Sequence, residues 1–129
     1  MAPGPSVPKR VLVVDDEPKF CQVVAEFLRR RGYETATAEN GTQAILQLEQ
    51  FTPDVVLLDI RMPGLSGLEV IKLLRARFLA PRIIVISAAD PDQTGREAIQ
   101  LGAQAFMCKP IDFKQLEQVI SGVFPATPA

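Results

Sequence analysis

Three stretches of the chain are apolar without interruption: Val11-Leu12-Val13-Val14, Val55-Val56-Leu57-Leu58 and Ile83-Ile84-Val85-Ile86. Their length and β-branched content fit strands covered on both faces, as in a parallel sheet flanked by helices. Residues 33–37, with Glu34, Thr35 and Thr37, and residues 105–108 are weaker strand candidates. Polar side chains cost less at a sheet margin, so these two are expected at the edges.

The intervening segments carry a helical period. Phe20, Val23, Val24, Phe27 and Leu28 follow the i, i+3, i+4, i+7, i+8 pattern of one helix face. Pro18 suits the first turn of that helix and Gly32 its end. Asn40 opens a second helix with Ala44, Ile45 and Leu48, and Ser66 with Glu69 reads as a capping box before Val70, Ile71 and Leu74. Asp90 or Asp92 starts a fourth helix ending at Gly102; Asp112 with Gln115 starts a fifth, whose apolar face is Phe113, Leu116 and Ile120. Strand and helix thus alternate five times, which predicts a doubly wound α/β domain with right-handed crossovers. Three buried strands and two marginal ones give a parallel sheet of order 2-1-3-4-5. The domain is expected over residues 9–123, with 1–8 a flexible N-terminal segment and 124–129 a C-terminal tail or linker.

Composition narrows the function. The chain has 129 residues, 47% of them hydrophobic and 22% charged, enough for one domain with a full core. A formal charge of −1 gives none of the basic excess expected of a nucleic-acid binder, so direct nucleic-acid binding is not expected. No apolar run reaches the roughly 20 residues that span a bilayer, and residues 1–8 lack the apolar stretch of a signal peptide. The expected location is cytoplasmic. Cys21 and Cys108 lie in apolar stretches without a CxxC spacing, and both read as reduced core thiols.

In an open sheet of this kind, ligands bind beyond the carboxyl ends of the strands, where the strand order reverses. Asp15, Asp16 and Glu17 follow the first strand, and Asp59 the third; Ser87 ends the fourth, and Lys109-Pro110 follows the fifth. Two like charges 4 Å apart cost about 4 kcal/mol at an effective dielectric of 20. A carboxyl among Asp15, Asp16 and Asp59 must therefore stay protonated, or a cation must sit among them. Oxygen ligands, with no His in the chain, favour a hard ion, best Mg²⁺. Asp59, between the acidic pair and Lys109, is the natural nucleophile. A carboxylate that attacks phosphorus forms an acyl phosphate, and phosphoryl transfer asks mainly for positioning and charge neutralisation.

The set Asp15-Asp16, Asp59 with Met62-Pro63-Gly64, Ser87-Ala88 and Gly102-Ala103 with Phe106 and Lys109-Pro110 resembles the response-regulator receiver family of two-component signalling. That resemblance implies a flavodoxin-like fold and a phosphoacceptor switch that is not an enzyme acting on other substrates. It implies Mg²⁺ held by Asp16, Asp59 and the backbone carbonyl of Arg61, with Asp15 acting mostly through water. Lys109 would pair with the phosphoryl group, Ser87 would move to hydrogen-bond it and Phe106 would swing inward. It also implies a phosphohistidine on a sensor histidine kinase as donor, with acetyl phosphate as a possible small donor. A downstream output domain or protein would read the switch, and a homodimer could form through the fourth helix, fifth strand and fifth helix. Ser87 and Phe106 stand where Thr and Tyr are frequent in the family; Arg61 and Ala89 stand where members tune dephosphorylation. The Lys109–Pro110 bond is cis in members of the family.

Structural roles compete for several of these residues. A single Asp at position 15 or 16 could cap a helix, but two facing a third favour chemistry. Glu17 is expected to complement the helix dipole in the first turn rather than bind a ligand, and Arg29, Arg30 and Arg31 to do so at the helix end. Asp54 lies at the amino end of the third strand, away from the site, and Asp112 is a cap. An aspartyl phosphatase would commonly need a second acid two residues after the nucleophile, where this chain has Arg61. A receiver-like interaction module working without phosphorylation is disfavoured by the intact acidic set. A dinucleotide-binding domain fails for want of a glycine-rich loop after the first strand.

Overall fold

The three apolar runs become the centre of one parallel sheet. The structure, a computed structural model, describes residues 9–60, 67–77, 81–88 and 91–123. The element order is β1 (Arg10–Val14), α1 (Pro18–Arg30), β2 (Glu34–Ala38), α2 (Gly41–Phe51), β3 (Val55–Leu58), α3 (Gly67–Arg77), β4 (Arg82–Ser87), α4 (Pro91–Gln100), β5 (Ala105–Cys108) and α5 (Phe113–Val123). The strands lie in the order β2-β1-β3-β4-β5, all parallel, as the pattern predicted. Starts agree with the sequence reading to within one residue.

Alternation along each central strand splits the core into two halves. Leu12, Val14, Val56, Leu58, Ile83 and Val85 face α2, α3 and α4. Val11, Val13, Val55, Leu57, Ile84 and Ile86 face α1 and α5. Both faces are covered, which is why these strands carry polar residues only at their ends, Arg10, Arg82 and Ser87.

Local signals set the helix ends. Pro18 is at the start of α1, Asn40 accepts a hydrogen bond from the Gln43 N–H at 2.8 Å, and Asp112 accepts one from Lys114. Gly32 follows the end of α1 at φ +93°, a conformation that costs a side chain energy. At the amino ends of the strands, Arg10 donates to the Phe51 carbonyl at 2.8 Å and to Thr52 Oγ1 at 3.1 Å, while its N–H donates to Asp54. Asp54 is therefore structural, as expected.

Three expectations need correction or fall elsewhere. The buried stripe of α1 is Cys21, Val24, Ala25 and Leu28, and Val23 is 53% exposed. The helix is rotated about one position from the Phe20-Val23-Val24 face, so that its small residues meet the sheet closely. Cys108 is exposed and only Cys21 is a core thiol, because Cys108 ends an edge strand pointing outward. The expected roles of Ser66 and Asp90, like Arg61, Met62-Pro63-Gly64 and Ala89, lie outside the described residues, as does the side chain of Asp92.

Candidate functional site

Chain direction and register bring the candidate residues to one end of the sheet. The Asp15 N–H donates to the Ala38 carbonyl and the Asp59 N–H to Val14, continuing the β1–β2 and β1–β3 ladders by one residue. Both carboxylates are fixed at the carboxyl edge by backbone pairing. Asp15 is 1% exposed and Asp59 5%. Asp16 is exposed, yet one carboxylate oxygen from each of Asp15, Asp16 and Asp59 lies within 4.8 Å of the others.

Lys109 answers this charge from across the sheet. The Lys109 N–H donates to the Ser87 carbonyl at 3.0 Å, which holds the chain just past β5 beside β4, and the following bond to Pro110 is cis. Its ammonium reaches 2.7 Å from Asp15 Oδ2, 3.4 Å from Asp59 Oδ2 and 3.3 Å from Glu17 Oε1. Burial alone would lower the Lys109 pKa. The Asp15 contact and the Asp59 charge outweigh it and hold the pKa above the ordinary lysine value. A pKa raised on folding means the pairing stabilises fully at neutral pH and fades only as pH climbs past the lysine range.

Among the described residues, Asp15 Oδ2 is a buried oxygen with an ion-pair partner but no aligned hydrogen bond. Its mate, Oδ1, accepts from the Glu17 N–H at 2.9 Å. An incompletely satisfied carboxylate oxygen beside two others is a fitting place for a hard cation. Ligand oxygens around Mg²⁺ at roughly 2.1 Å lie about 3–4 Å apart, so the cluster needs only a small contraction.

The remaining candidates divide. Ser87 ends β4, fully buried at the same edge, and pairs in register with Cys108. Phe106 lies two pairs further back, opposite Val85, half-buried on the α4 face of β5, where its ring covers Gly95; a Cβ built at Gly95 would meet the ring at 3.5 Å. Phe106 thus does not line the carboxylate cluster.

Two site residues were missed or misjudged from sequence. Glu17 is the N-cap of α1, and its carboxylate turns to Lys109 instead of serving in the first turn. The centre of the Phe20 ring lies 4.4 Å from the Lys109 ammonium, a cation–π contact with no sequence signal beyond its place in the first turn of α1. A cavity of about 510 Å³ beside them is lined by Phe20, Val23, Ala88, Lys109, Pro110 and Phe113.

Known proteins share both sequence and shape with this chain. It is 33% identical over 115 residues to the alkaline phosphatase synthesis transcriptional regulatory protein PhoP of Bacillus subtilis, covering 89% of this chain and 48% of that protein. It is 36% identical over 106 residues to the sensory transduction protein RegX3 of Mycolicibacterium smegmatis, covering 82% of this chain and 46% of that one. The chain spans about half the length of these relatives. The chemotaxis protein CheY4 of Vibrio cholerae superposes with a TM-score of 0.85 at 26% identity, covering 92% of this chain and all of that one. The response regulator protein TrrA of Thermotoga maritima, solved in complex with Mg(2+)-BeF, superposes with a TM-score of 0.78 at 36% identity over 88% of this chain and 97% of that one. The sequence pattern of the response regulator receiver domain matches residues 11–121. With the sheet order and the acidic cluster as the sequence resemblance implied, the chain belongs to the response regulator receiver domain family.

Proposed function

We propose that the chain is a phosphoryl-accepting switch that takes phosphate onto Asp59 in a Mg²⁺-dependent reaction. The observation carrying this reading is the contact of a nearly buried Asp59 with the Lys109 ammonium inside a three-carboxylate cluster. An Asp59 carboxylate oxygen attacks phosphorus, the bond from phosphorus to the donor breaks, and the donor leaves with that electron pair. Lys109 neutralises charge on the phosphoryl oxygens, and the Ser87 hydroxyl donates to one of them once it has moved. Bound Mg²⁺ would supply further charge neutralisation and orientation, held by Asp15, Asp16, Asp59 and the backbone carbonyl of Arg61.

The donor is the phosphohistidine of a sensor histidine kinase, and the protein acts only on its own phosphorylation state. Phosphorylation adds nearly two negative charges to a packed site. The Ser87–Phe106 pair reports it to α4, β5 and α5, which engage an output domain, a partner protein or a second copy. The contact of Phe106 with Gly95 supports this route, because it couples β5 directly to α4. Residues 9–123 form the functional unit in the cytoplasm, and no helix of the described residues is long and apolar enough to cross a membrane. Neither a membrane nor nucleic acid is a direct partner of this unit.

Incubation with acetyl phosphate and Mg²⁺ tests the assignment. The parent gains one phosphoryl group by mass, and Asp59→Asn gains none. Equal labelling of the two would reject Asp59 as acceptor.

A further inference from the structure

Lys109 meets more anionic partners than phosphate chemistry requires. Its ammonium sits against Asp15 and Asp59 inside the cluster and against Glu17 outside it. The two sides differ: Asp15 and Asp59 are nearly buried, whereas the Glu17 side chain is 68% exposed. Glu17 is held there by its backbone, since its N–H donates to Asp15 Oδ1 and its carbonyl accepts from the Cys21 N–H. The Phe20 ring flanks the same outer side.

In this position the ammonium competes with a metal ion. A divalent cation entering beside Asp15, Asp16 and Asp59 would meet a like charge already 2.7 Å from one carboxylate oxygen. The ammonium must withdraw, and the outer side offers it a carboxylate and an aromatic face. We propose that Glu17 is a positioning residue for Lys109: it draws the ammonium outward and clears the acidic cluster for the divalent ion. This inference rests on the metal reading given above and assigns Glu17 a part in it.

Mg²⁺ titration by calorimetry on the full chain tests it, with no phosphodonor present. Glu17→Gln weakens Mg²⁺ binding about threefold, the scale of a half-exposed ion pair. Glu17→Asp, which keeps the charge but shortens the reach, weakens it comparably. In a Lys109→Met background (or Lys109→Gln, if the first variant is not folded by circular dichroism), Glu17→Gln has little further effect. Parent-like affinity in Glu17→Asp would show that charge alone matters and overturn the proposal. So would an equal effect of Glu17→Gln with and without Lys109. A parent that fails to bind Mg²⁺ at all would overturn the metal reading itself, a result distinct from either.

Discussion

Replacing Lys109 by Met would remove the only ammonium seen, among the described residues, within ion-pair distance of both Asp15 and Asp59. At an effective dielectric of 20, contacts of 2.7 and 3.4 Å correspond to roughly 5–6 kcal/mol of attraction each. Much of that is offset by the cost of taking the charges out of water. Removing one partner leaves that cost uncompensated, which for buried pairs is about 3–5 kcal/mol. Lys109 keeps 16% exposure, so the low end applies and the expected loss is about 3 kcal/mol. Urea unfolding followed by circular dichroism at pH 7, with a chelator present, measures it. Mg²⁺ should then restore much of the loss, since a ligand at 100 times its Kd contributes about 2.7 kcal/mol to the folded state. A Lys109→Met protein as stable as the parent in chelator, or one indifferent to Mg²⁺, would refute the electrostatic account of the cluster.

Other consequences lie away from the cluster. Arg10→Ala removes donors to the Phe51 carbonyl and Thr52 at the end of α2 and should cost about 1–2 kcal/mol in the same unfolding assay. Gly102→Ala should cost about 1 kcal/mol or more: Gly102 holds φ +108°, and a Cβ there would lie 2.7 Å from Arg75 Nε. A variant as stable as the parent would contradict that strain. Cys108 should react rapidly with a thiol reagent at pH 8 and Cys21 should not. Burial, reinforced by the Asp15 charge, pushes the Cys21 thiol up to about 11, so it stays protonated and inert. Two fast thiols per chain would contradict the packing of α1.

Much of this was legible from pattern alone. Uninterrupted Val and Ile runs announce strands covered on both faces, and the carboxyl ends of such strands are where a parallel sheet collects chemistry. Asp15, Asp59, Ser87 and Lys109 could therefore be brought together by counting strand ends. Rotation of a helix about its axis was less legible. Phe20, Val23 and Phe27 match a helix stripe as well as Cys21, Val24 and Ala25 do, and only close packing on the sheet selects the smaller set. Glu17 shows a further limit. Its spacing suits a dipole role, but the backbone turn after Asp15 aims its side chain across to Lys109, a contact spanning 92 positions of chain. Cys108 was misjudged because apolar neighbours say nothing of which side of an edge strand is covered.

The central claim concerns which atom carries phosphate. After labelling with acetyl phosphate and Mg²⁺, borohydride reduction converts an aspartyl phosphate to homoserine, and peptide mass mapping locates the conversion. Homoserine at position 59, and at no other aspartate, is the predicted result. Conversion at Asp15 or Asp16, or a reduction-resistant phosphate on Ser87, would contradict the account.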